Sequence, residues 1–136
     1  MRETVQLPEA VRHEKEQLLR ACVARLGAAG ARNLRVRDLP GYPPPEALHI
    51  PVWNAPMVPD LAADGSDGTV LIGVAVVSSE LGERSCGRRW QAFAEWAGRR
   101  GGSFSVYVHP EDEMRAVRIA EHWHLDPQCV DTVPRA

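Results

Sequence analysis

The chain holds 136 residues, 44% hydrophobic and 25% charged, with a formal net charge of −2. That is enough apolar surface for one domain with its own core. It is too little charge excess for disorder, or for a field that would draw the whole chain onto nucleic acid or an anionic membrane. No apolar run approaches the ~18–20 residues of a membrane helix. The opening stretch MRETVQLPEAVRHEKEQ is charged where a secretory signal needs an apolar segment. Cys22, Cys86 and Cys129 are odd in number and widely spaced, with no CxxC, as befits reduced thiols. A cytoplasmic location without membrane association is therefore expected. Of the 16 basic residues only Lys15 is a lysine, a compositional bias of the kind seen in GC-rich genomes.

A single domain is expected over 1–136, with its core at about 8–125, a proline-rich connection at 40–51 and a short tail at 126–136. Pro8 at a first helical turn, then Val11, Leu18, Leu19, Cys22, Val23 and Leu26 on one stripe, mark an amphipathic helix that Gly27 and Gly30 end. Asn33 to Leu39 alternates as a half-exposed strand. Pro40, Pro43, Pro44, Pro45 and Pro51 make the next segment an extended connection or lid. A second strand is expected around Met57 to Ala62 within Trp53–Ala63, then a turn at Asp64-Gly65-Ser66-Asp67-Gly68. Thr69 to Val77 is almost wholly apolar and β-branched, the pattern of a central strand covered on both faces; the first and second helices are expected on one of them. Glu83 to Arg100 forms a second helix, with Cys86, Trp90, Phe93, Ala94 and Ala97 on its inner face and Gly101-Gly102 ending it. Ser103 to His109 alternates as a strand with Phe104, Val106 and Val108 inward. A third helix follows Pro110, with Glu111, Asp112 and Glu113 in its first turn and Ala116, Val117, Ile119, Ala120 and Trp123 inward. The tail is a short strand or irregular. Leu18, Cys22, Leu26, Ile72, Val74, Trp90, Phe93, Val106 and Val108 are expected in the core.

The order is α-β-β-β-α-β-α: an α/β sandwich on a mixed sheet. Neither GxGxxG nor GxxxxGK[ST] is present, so nucleotide binding by those loops is unsupported. Pro59-Asp60 in MVPDLAADGSDG, followed by VLIGVAVVSS, the helix RRWQAFAEWAGRRGG and the strand FSVYVHP, resembles the PD-(D/E)XK, or restriction-endonuclease-like, nuclease superfamily. The stretch is also similar to small prokaryotic proteins of that fold. The resemblance implies a three-layer α/β sandwich.

It also implies a divalent metal held between an aspartate on the second strand and an acid on the third. A lysine two residues beyond that acid would serve the attacking water. Residues i and i+2 share one strand face, so both groups would meet the same phosphate. Asp60 matches the aspartate. The acid and lysine positions fall on Gly73 and Ala75, or one residue later on Val74 and Val76, and none has a ligand atom. Glu95 on the second helix and Glu14 on the first are candidate migrated acids, with Gln91 beside them. Asp60, if solitary, is expected to be solvated or held by Arg84 or Arg88.

Three functions stay open. One is a nuclease-fold domain with a degenerate, inactive metal site and no cofactor, acting as a binding or assembly module. Another is a DNA or RNA phosphodiesterase that uses Mg²⁺ or Mn²⁺ with a migrated acid. The third is a homodimeric structural or interaction protein. Arg89, Trp96 and Arg100 share one flank of the second helix, an arginine-flanked aromatic suited to a protein partner or a stacked base. The slight negative charge favours the protein partner. The same residues also suit a Trp96 that merely covers a sheet edge. His122 and His124 lie two apart, about 200° around a helix, and cannot share an ion there. His109 closes the last core strand on its polar side.

Overall fold

The computed structural model describes residues 8–50 and 55–135. Helix α1 spans Glu9–Ala28, followed by β1 at Arg32–Val36, β2 at Leu48–Ile50, β3 at Ala55–Met57, β4 at Leu61–Asp64 and β5 at Val70–Ala75. Helix α2 spans Glu83–Arg99, β6 Ser103–Val108, α3 Glu113–His122 and β7 Val130–Thr132. Five strands form one mixed sheet in the order β1-β4-β5-β6-β7, and β2 pairs with β3 in a separate ribbon. Strand β4 runs antiparallel to both its neighbours, whereas β5, β6 and β7 are mutually parallel.

The expected central strand is β5, interior between β4 and β6. Its side chains alternate between two cores. Ile72, Val74 and Val76 pack with Phe104, Val106 and Val108 against Cys86, Trp90 and Phe93 of α2 and Ala116 and Ile119 of α3. Ala75, Val77, Leu61 and Tyr107 pack instead against Leu18, Leu19, Cys22 and Leu26 of α1. The two first helices thus cover opposite faces, not the same one. An amphipathic stripe says which side of a helix is apolar, but not which face of a sheet receives it.

The second strand is also divided differently. Met57 belongs to β3, which pairs with Leu48–Ile50 of the proline-rich segment, and β4 begins only at Leu61. Pro59 separates them, because it has no N–H to give a ladder. Leu48 and Ile50 are buried, so the end of the proline-rich segment joins the α2-side core. Pro51 and Trp53 lie outside the described residues. The turn after β4 is the expected one: Gly68 takes a φ of 85°, and Gly65 N–H donates to the Thr69 carbonyl at 2.7 Å. The Asp67 carboxyl, accepting from the Thr69 hydroxyl at 2.7 Å and its N–H at 3.0 Å, titrates below its ordinary value because of those bonds. At the other end of the crossover, Gly101 at φ 67° ends α2, and Gly102 N–H caps the Ala97 carbonyl at 2.9 Å. Pro110–Asp112 is a short 3-10 turn, so α3 starts at Glu113. His109, expected on a polar side, is only 3% exposed. Cys129 is half-buried.

Burial has a consequence at high pH. It is the main reason that the Cys22 thiol is pushed up to about 12, Cys129 to about 11 and the Tyr107 phenol to about 12. Unfolded, the thiols ionise near 9.0 and the phenol near 10.0. As pH rises the unfolded chain therefore releases protons first, so stability is full below about pH 9 and falls as pH climbs from about 9 to about 12. The melting temperature should be flat near neutrality and drop through that window. A flat profile across it would contradict the burial of these groups.

Candidate functional site

Asp60 follows Pro59 at the entrance to β4 and is 9% exposed. Its backbone continues the ladder: its N–H donates to the Gly73 carbonyl at 3.1 Å, and its carbonyl accepts from Arg37 N–H at 2.8 Å. Pairing of β4 with β5 stops at Leu61 opposite Gly73. The Ala75 N–H beyond that point would lack a strand partner, and Asp60 Oδ2 accepts it at 2.9 Å. The carboxylate therefore substitutes for a missing backbone carbonyl, which explains part of its burial.

The cation beside it comes from neither Arg84 nor Arg88. Lys15 Nζ lies 3.6 Å from Asp60 Oδ2 and 3.2 Å from Glu80 Oε2. Lys15 sits on α1 one turn before Leu18 and Leu19, so its aliphatic stem runs along the sheet-facing side and its head reaches the end of β5. Glu80 stands in the 3-10 turn Ser78–Glu80 that leaves β5; its Oε1 accepts the Val77 N–H at 3.4 Å. Two carboxylates thus share one ammonium, and the distances of 3.6 and 3.2 Å bound their separation.

These three residues line a cavity of about 100 Å³ with Val74, Val76 and Arg89, while Ser85, Cys86 and Trp90 complete its wall. The Arg89 guanidinium carbon lies 5.5 Å from the Phe93 ring centroid. At ~30 Å³ per water, the space suits about three waters or one phosphate-sized group. It is well short of the ~300 Å³ at which pockets begin to take drug-sized molecules.

The other sequence candidates fall elsewhere. A Cβ on Gly73 would stand 2.9 Å from Tyr107 Cε2 and 3.1 Å from Leu61 Cδ1, so Gly73 faces the α1-side core rather than the cavity. The register that lines the cavity is Val74 and Val76, together with Ala75. Glu95 is exposed and pairs with Arg99 at 2.7 Å. Glu14 binds Arg135 at 3.1 Å, and Gln91 donates to the Trp123 carbonyl at 2.9 Å. Trp96 packs on the core edge, and its ring face carries the Arg100 guanidinium at 4.0 Å. Of the flank Arg89, Trp96 and Arg100, only Arg89 reaches the cavity. His122 ends α3 and contacts Glu83 at 2.9 Å, with His124 beyond the helix at φ 60°.

Two site residues escaped the sequence analysis although each left a signal. Lys15 interrupts the apolar stripe Val11–Leu18–Cys22, and it is the chain's one lysine. Glu80 is the first acid after the apolar strand. The place between the two carboxylates holds an ammonium, and among the described residues no group of three His, Cys, Asp or Glu side chains comes together. No helix among the described residues is long and apolar enough to cross a membrane. Compared with known proteins, the chain matches no family model, and no curated protein or solved structure shows significant similarity.

Proposed function

We propose that the chain is a restriction-endonuclease-like domain whose cleavage site is degenerate, and that it works as a binding or assembly module without a resident metal. The observation that carries this reading is the place of Lys15, whose ammonium is seated on both Asp60 and Glu80. A tethered cation there supplies part of the positive charge that a divalent ion would otherwise bring. Support also comes from Val74 and Val76, which line the cavity and offer no ligand atom where an acid and a lysine would act. The element order with the β2–β3 ribbon set aside, α1-β1-β4-β5-α2-β6-α3-β7, lends support to the reading. The net charge of −2 favours a protein partner over a nucleic acid. Of the flank Arg89, Trp96 and Arg100, Arg89 lines the cavity and is the better candidate contact.

One observation favours a second reading. Glu80 and Lys15 together provide an acid and a lysine beside Asp60, although neither comes from the central strand. Mg²⁺ bound by one or two carboxylates completes its shell with waters and substrate phosphate oxygens. A substrate that brought its own ion and displaced Lys15 would recover a phosphodiesterase site.

Incubation of supercoiled plasmid with the purified protein and Mn²⁺ separates the two. The module reading predicts no nicking above a no-protein control. Nicking that is abolished by Asp60→Asn would overturn it in favour of the enzyme.

A further inference from the structure

We propose that Arg115, on α3 and outside the cavity, is a positioning residue for Glu80, and that the buried Asp112 orients it; this rests on reading the Lys15–Asp60–Glu80 cavity as the functional site. Glu80 stands in a turn of three residues whose own hold on its carboxylate is one long bond, the Val77 N–H to Oε1 at 3.4 Å. The Arg115 guanidinium bonds across that turn. Its Nη1 donates to the Ser78 hydroxyl at 3.2 Å and the Ser78 carbonyl at 3.5 Å, and its Nη2 donates to the Leu81 carbonyl at 3.2 Å. The residues on both sides of Glu80 are thereby tied to α3. A planar fork with fixed donor spacing suits this task better than a single rotating ammonium.

Behind Arg115, its Nη1 lies 4.0 Å from Oδ1 of Asp112, one helical turn earlier, whose side chain is 4% exposed. No group of the cavity uses this buried carboxylate, and its Oδ2 has no partner among the described residues. Orienting Arg115 gives it a role. Charges then alternate from α3 to α1 across the end of the sheet: Asp112, Arg115, the turn bearing Glu80, Lys15 and Asp60. Cys86 Sγ adds a second tie to the turn, donating to the Glu80 carbonyl at 3.3 Å, but it leaves the Ser78 side unheld.

Because Lys15 is the only lysine, acylation of its amine by an N-hydroxysuccinimide ester, read by peptide mass spectrometry, reports on this centre alone. Glu80→Gln should speed the reaction by roughly two- to tenfold, the range that one hydrogen bond of ordinary net strength controls. Arg115→Gln should act in the same direction. The double variant Glu80→Gln/Arg115→Gln should react no faster than Glu80→Gln alone, since a residue acting through another adds nothing once that other is gone. A general loosening of the fold would instead give additive increases. Additivity, an unchanged rate in Arg115→Gln, or no acceleration in Glu80→Gln would each overturn the proposal. The readout involves neither metal nor nucleic acid, so its failure is distinguishable from a failure of the proposed function.

Discussion

Replacing Phe93 with Ala should lower stability by about 3–5 kcal/mol, the usual cost of emptying a large aromatic site in a core. Phe93 is fully buried on α2, and its ring stacks on Phe104 of β6 with centroids 5.9 Å apart. The same ring lies beneath Arg89, so its loss should also release the guanidinium that lines the cavity. Against a total of about 5–15 kcal/mol for an ordinary domain, such a loss is large. Chemical denaturation should show an earlier midpoint. A midpoint equal to that of the wild type would mean that α2 presents another face to the sheet.

Gly87→Ala should also destabilise, although alanine favours helices by up to ~1 kcal/mol over glycine. Gly87 is buried within α2, where a Cβ would stand 2.0 Å from Cδ1 and Nε1 of Trp123. The indole therefore lies directly on the helix backbone, its Nε1 buried and without a partner among the described residues. Alanine must expel the ring or part α2 from α3, an overpacking that costs about 1–3 kcal/mol. The Trp123 indole resonance should shift strongly while the melting temperature falls. A stabilised protein with an unmoved indole would show that the two helices are not in such contact.

The sheet was legible where one segment carries its own message. The unbroken apolar run of β5, the Asp-Gly turn before it and the period of α2 each specify an element locally. The split at Pro59 was missed because Met57 and Leu61 alternate as one strand would, and only the partner Leu48–Ile50 reveals the ribbon. Burial of His109 was missed because a polar residue at a strand end is ordinarily solvated. For the site, Asp60 was found through the resemblance, and Glu14 and Glu95 were considered because they lie on helices expected near it. Lys15 and Glu80 are 65 positions apart, and no spacing rule links them. Their meeting depends on α1 covering the face opposite α2 at the end of β5, a tertiary fact that helix periodicity does not hold. The fold places the one lysine between two carboxylates.

The central claim is that Lys15 takes the place of a metal, and calorimetric titration of Mn²⁺ into wild type and Lys15→Met tests it most directly. Methionine keeps much of the aliphatic stem but removes the charge, leaving Asp60 and Glu80 facing each other without a counter-ion. The wild type should show no stoichiometric heat, and the variant should gain a weak site that Asp60→Ala removes. A tight stoichiometric site in the wild type, lost on Asp60→Ala, would contradict the account and return the chain to metal-dependent chemistry.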